Sequence, residues 1–148
     1  MHEVKSFGPG EIDLALAVQL VGLIHRAWPR TPPVEPEAEA QQRIKSQCEY
    51  AGPEAEGPMW HAVIEDGRGV ASASTFPRRI KTEQGEMTIL GLAGVVVDES
   101  RRGRGYGRLV VQRAFERVDQ GIFPFAIYQT EPHNRAFYNK LGAMLIDN

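Results

Sequence analysis

One segment narrows what this chain can fold into more than any other: Val95-Val-Val-Asp-Glu-Ser-Arg-Arg-Gly-Arg-Gly-Tyr-Gly-Arg-Leu109. An apolar strand runs straight into a loop with three glycines and four arginines, and an amphipathic helix follows. Glycines let successive main-chain N–H groups converge without side-chain obstruction. A helix start adds unpaired donors and the positive end of its dipole. Arg101, Arg102, Arg104 and Arg108 bring fixed positive charge to the same place. The segment reads as a cradle for a phosphate or pyrophosphate, and therefore for a phosphorylated small molecule. Its glycines follow G-x-G-x-G rather than the G-x-G-x-x-G of a dinucleotide fold. No Gly-Lys-Ser/Thr follows, so a nucleoside-triphosphate P-loop is a poor fit. The bland alternative is a turn shaped by Gly103, Gly105 and Gly107 with a solvated arginine patch.

The rest of the chain supplies a framework for such a loop. Val4 and Phe7 suggest a short first strand, closed by Gly8-Pro9-Gly10. Ile12 to Trp28 is the clearest helix, with Leu16, Leu20, Leu23, Ile24 and Ala27 apolar and Gln19, Gly22 and Arg26 forming a polar stripe. Pro29 ends it, and Pro32, Pro33 and Pro36 stiffen the loop beyond. A charged second helix is expected over 37–48. Strands follow at 60–65, 70–76 and 87–97, with Asp66-Gly67 as a hairpin turn and Pro77 marking an edge or bulge. A helix over 105–119, a strand at 124–129, a helix over 132–141 and a strand near 143–146 complete a mixed α/β sheet with helices on both faces.

At 148 residues the chain is expected to form one domain, 1–148, able to bury roughly 70% of its unfolded surface. A net charge of −2 gives no general attraction to nucleic acid or anionic membrane. The single cysteine, Cys48, excludes an intramolecular disulfide and offers no metal cluster. The polar stretch after Met1 does not read as a signal peptide, and no apolar run is long enough to span a bilayer, so the cytoplasm is the expected compartment.

Two blocks of the chain resemble the GNAT superfamily of acyl-CoA-dependent N-acyltransferases. Arg102-Gly-Arg-Gly105-Tyr-Gly107 fits that family's Arg/Gln-x-x-Gly-x-Gly/Ala loop, with Val97 in register in the strand before it. Downstream, Phe137-Tyr138-Asn139-Lys140-Leu141-Gly142 fits its Phe/Leu-Tyr-x-Lys-x-Gly helix end. Glu131 stands where many members carry asparagine, Asn134 fits the Asn-x-x-Phe-Tyr variant, and Glu99 replaces a common proline. The resemblance implies a mostly antiparallel central sheet of six to seven strands with about four flanking helices. The chain stops six residues after Gly142, so the last strand is expected to be short or missing and a homodimer by strand exchange is left open.

The same resemblance implies acetyl-CoA as cofactor, a small-molecule or peptide amine as acceptor, and no nucleic-acid or membrane partner. Arg102, Gly103, Arg104, Gly105, Tyr106, Gly107, Arg108 and Asn134 would hold the cofactor. Val95 would offer an oxyanion-side amide, and Val97 the pantetheine contact. Tyr138 is the expected general acid, since a phenol with a pKa of about 10 stays protonated at neutral pH and can meet a leaving thiolate. For the general base, Glu86 is the leading candidate beside His61 and His133. The acceptor walls would be 28–36 and 76–85. Arg78, Arg79 and Lys81 would favour an anionic acceptor, Glu35, Glu37 and Glu39 a cationic one. Two other functions stay open: a non-catalytic CoA-binding regulatory module, and a nucleic-acid binder using the Arg-Gly loop. The acidic total charge, and the lack of interleaved aromatics beyond Tyr106, count against the latter.

Overall fold

The computed structural model describes residues 1–128 and 134–141. Its elements, in order, are β1 (His2–Phe7), α1 (Leu14–Ala27), α2 (Pro36–Cys48), β2 (Met59–Glu65), β3 (Arg68–Thr82), β4 (Gly85–Val97), α3 (Tyr106–Asp119), β5 (Ala126–Ile127) and α4 (Arg135–Lys140). The described strands form one five-stranded sheet in the order β1-β2-β3-β4-β5. β1 to β4 are antiparallel, while β5 lies parallel to β4 through Leu90↔Ala126 and Gly91↔Ile127. The expected strand at 143–146, Gly142, Glu131 and His133 lie outside the described residues.

Local chemistry explains the elements. Asp13 caps α1 by accepting from the Leu16 amide at 2.7 Å. Asp66 (φ 49°) and Gly67 (φ 80°) both take the left-handed region that a tight two-residue hairpin requires. β3 does not stop at Pro77, as expected, but runs on to Thr82. β2–β3 pairing ends at Met59↔Thr75, so a missing N–H at Pro77 removes no bond between those strands. Among the described residues β5 covers Ala126–Ile127 of the expected 124–129, and α4 covers Arg135–Lys140 of the expected 132–141.

The sheet separates two cores. On one face Leu20, Val21, Leu23 and Ile24 of α1 and Ala40 of α2 pack on Trp60, Ala62 and Val96. On the other, Val110, Val111 and Ala114 of α3 and Tyr138 of α4 pack on Val63, Ala71, Ala73 and Leu92. Gln19 is not on a purely solvated stripe, because its side chain accepts from the Gly69 amide at 2.9 Å. A β-carbon on Gly69 would lie 2.7 Å from Leu20, so α1 can approach β3 here only over glycine.

The pairing of β3 with β4 slips by one residue between Ser72↔Val96 and Ser74↔Ala93. This bulge contains Gly94 at φ +65°. Leu92 faces the α3 core while Val96 faces α1, so the extra residue reverses which side each β4 side chain serves.

His61 is 1% exposed, with Nδ1 2.8 Å from Ser6 Oγ and Nε2 2.8 Å from Thr75 Oγ1. Burial, aided by the Arg117 and Arg113 charges, pushes its pKa from 6.5 down to about 3. The unfolded chain takes up this proton below about pH 6.5 and the folded chain only near pH 3, so stability falls as pH drops through that window. Between pH 7 and 4.5 the wild type is expected to lose about 2–3 kcal/mol more than His61→Asn. Denaturant unfolding at the two pH values measures this, and equal losses would mean that the ring titrates normally in the fold.

Candidate active site

The loop read as a phosphate cradle is built where β4 ends. Asp98 accepts from the Ser100 amide at 3.0 Å and turns the chain into a short 3-10 segment, Glu99–Arg101. Gly103 (φ +86°) and Gly105 (φ +82°) then take left-handed conformations. A side chain at Gly105 would meet no atom within 4 Å, so glycine is required there by backbone angle rather than by crowding. Gly107 has the opposite reason. A β-carbon there would lie 3.3 Å from Val97 and 3.7 Å from the Phe137 ring, so the first turn of α3 sits tightly against β4 and α4. α3 starts at Gly105 with no side-chain cap and no acidic residue in its first turn, which leaves its early amides available to an anion.

The four arginines do not act alike. Arg101 donates from Nε to Glu65 Oε1 at 3.1 Å and from Nη1 to Asp98 Oδ2 at 3.1 Å. Arg104 Nη1 lies 3.2 Å from Glu65 Oε2, and the Tyr106 hydroxyl also donates to Glu65. One carboxylate at the end of β2 therefore ties down three loop side chains. The Tyr106 and Arg101 hydrogen bonds hold the Glu65 pKa below the usual carboxylate range. Arg102 and Arg108 are exposed and have no ion-pair partner among the described residues. Glu65 was missed in the sequence reading. Its signal lay in the topology, because in an antiparallel meander β2 and β4 run the same way and finish at the same end of the sheet.

Beside the cradle the sheet opens. β4 meets β5 only at Leu90 and Gly91, so from Leu92 to Val97 that edge has no strand partner among the described residues. Half-buried Val95 and Val97 face the α3 core, where Tyr138 is 8% exposed. The Tyr138 ring packs on Tyr128 (centroids 4.7 Å apart) and edge-on to Phe137 (5.0 Å). Burial raises the Tyr138 pKa above its ordinary 10, so the hydroxyl keeps its proton at neutral pH. Burial also pushes Tyr128 up to about 12. Asn134 lies half-buried at the start of α4.

Of the base candidates, Glu86 and His61 are not brought to this place. Glu86 sits at the start of β4, paired with Arg79 at 3.2 Å. It is nine residues from Val95 along β4, a span of about 30 Å in an extended strand. His61 is enclosed by Ser6 and Thr75. His133 lies outside the described residues.

A family model for the acetyltransferase (GNAT) domain matches residues 56–142, more than half of the chain. The chain belongs to the GNAT acetyltransferase family. No curated relative matches it in sequence. Among solved structures, glucosamine-6-phosphate N-acetyltransferase from Arabidopsis thaliana superposes with a TM-score of 0.79 at 15% identity, over 100% of this chain and 95% of that one. Aminoglycoside N-acetyltransferase AAC(6')-Iy, solved with CoA, gives 0.74 at 14% identity, over 100% and 91%. An acetyltransferase from Clostridium acetobutylicum, solved with acetyl-CoA, gives 0.72 at 14%, over 99% and 92%. Among the described residues no helix is long and apolar enough to cross a membrane.

Replacing Glu65 by glutamine is expected to loosen the loop. Amide hydrogen exchange over 101–107 should accelerate by about tenfold while β2 and β3 stay protected. Unchanged exchange would mean that the glycine turns alone hold the loop.

Proposed function

We propose that this chain is an acetyl-CoA-dependent N-acetyltransferase that moves an acetyl group to a primary amine by direct attack. The observation that carries the reading is an uncapped helix start with arginines that have no ion-pair partner, set beside a stretch of β4 with no strand partner, both among the described residues, and a buried, protonated tyrosine. The residues fit the cofactor's chemistry. Main-chain amides of 103–107, with Arg102 and Arg108, would hold the pyrophosphate, while Arg104 and Tyr106 keep the loop in shape through Glu65. Val95 and Val97 would use main-chain groups along the open edge of β4, and Asn134 lies at the start of the helix that carries Tyr138. When bound, acetyl-CoA supplies an activated acyl group and a sulfur leaving group that needs a proton. Tyr138 holds that proton at its hydroxyl oxygen. Against a role for Glu86 as base stand its place at the far end of β4 and its ion pair with Arg79.

A non-catalytic CoA-binding module would share the cradle but not depend on Tyr138. Melting curves with acetyl-CoA, CoA, ATP or a short RNA in excess separate the classes, since ligand at 100 times its dissociation constant adds about 2.7 kcal/mol. Stabilisation by the two CoA species alone is expected, whereas a response only to RNA would overturn the reading. Arg102→Ala is expected to weaken CoA binding by about 1.5–3 kcal/mol in calorimetry. Tyr138→Phe should lower kcat with little change in CoA affinity. If both fall alike, the hydroxyl is structural.

A further inference from the structure

On the sheet face opposite α3, a groove of about 490 Å³ opens between α2, the first residues of β2 and residues 74–77 in the middle of β3. Its floor includes Ser74 and Phe76, whose cross-strand partners on β4 are Ala93 and Gly91. The Phe76 ring lies over Gly91, where any β-carbon would collide with it. Ala93 is exposed and precedes the Gly94 bulge. The groove thus reaches within one strand of the open edge of β4 from the side that α3 does not cover.

Its chemistry is specific. Met59, Trp60 and Phe76 give it an apolar body. Arg43 is fixed above Trp60, with its guanidinium carbon 5.8 Å from the ring centroid and Nε donating to Glu39 Oε2 at 3.1 Å. Neither Nη of Arg43 has a hydrogen-bond partner among the described residues, so a planar fork is left facing the groove. Glu39 cannot serve a substrate ammonium. It is buried, and Arg30 (3.0 Å) and His25 (3.1 Å) share it with Arg43. The one carboxylate that lines the groove, Glu49, is largely exposed beside Lys45.

From these contacts the geometry points to an acceptor that carries an apolar side chain and a carboxylate beside its primary amine, with Arg43 gripping the carboxylate. Trp60 and Phe76 enclose the apolar part. This rests on the acetyltransferase reading and selects among its acceptors against polyamines and other polycations, which would meet Arg43 with like charge.

The test uses the full chain with acetyl-CoA and a panel of L-phenylalanine, L-methionine, their amides, and spermidine, read as CoA release. Calorimetric titration with acetyl-CoA is run on the same preparations. The expected result is kcat/KM at least about tenfold higher for the acids than for their amides, with spermidine poorest. Arg43→Lys, which keeps a cation for Glu39 but loses the fork, should bring the acid-to-amide ratio below about threefold through KM. Arg43→Met should do the same, and its melting temperature reports whether it folds. Acetyl-CoA binding with spermidine or the amides preferred, with no acid turned over, or with an acid-to-amide ratio unmoved in Arg43→Lys, would overturn this inference and leave the acetyltransferase reading standing. Failure to bind acetyl-CoA would overturn both.

Discussion

The parallel pairing of β4 with β5 is the constraint on which the site depends. Antiparallel neighbours can be joined by a tight turn, but parallel ones need a crossover, and α3 is that crossover. It must begin where β4 ends, so its uncapped amides fall at the carboxyl end of a central strand. It must then pack back across β1 to β4, which it does. In sheets of this kind ligands gather at carboxyl strand ends where the connections change direction. Because β5 pairs with β4 at two positions among the described residues, these residues leave β4 main chain open beside the helix start.

Charge in this molecule is organised by two carboxylates rather than by its total. Glu65 absorbs Arg101 and Arg104 and fixes Tyr106. Glu39 absorbs Arg30 and Arg43 and lies beside His25. Each converts mobile cations into fixed geometry, and each leaves guanidinium capacity unspent next to an opening in the structure. For the loop that capacity is Arg102 and Arg108, and for the groove it is the outer nitrogens of Arg43. A net charge of −2 therefore says little about local fields, which act within about a Debye length.

Much of this was legible because it is local. Periodicity placed α1 and α3 within two residues, and Asp66-Gly67 fixed the hairpin through its positive φ angles. The glycine-arginine loop and the Phe137-Tyr138 block marked the candidate site. What escaped depends on tertiary proximity. Nothing in the sequence around Glu65 says that it will lie beside residues 101–106. Nor does any pattern around Glu86 reveal that the β3–β4 hairpin extends past its neighbours and carries that residue away from Val95. Pro77 does mark an edge, since β3 beyond Thr75 has no β2 partner and tolerates the missing donor, but the strand runs on past it. At Gly105 the backbone angle is a demand for glycine in its own right, which no spacing pattern announces.

The bulge at Gly94 joins the two halves of the site. Without the extra residue, strand alternation would put Val95 and Val97 on the same face as Ala93, and Val96 on the face of Leu92. The slip between Ser72↔Val96 and Ser74↔Ala93 reverses that assignment. Val96 closes the α1 core, while Val95 and Val97 turn toward α3 and Tyr138. Ala93 and Gly91 stay on the α2 side, where their small size keeps the wall between groove and open edge thin, and where Phe76 can lie flat on Gly91. A single strand thus presents valines to the helix that starts at the cradle and almost bare backbone to the groove opposite. An amine arriving from the groove and a phosphorylated ligand held at α3 would meet across that strand without competing for the same side chains.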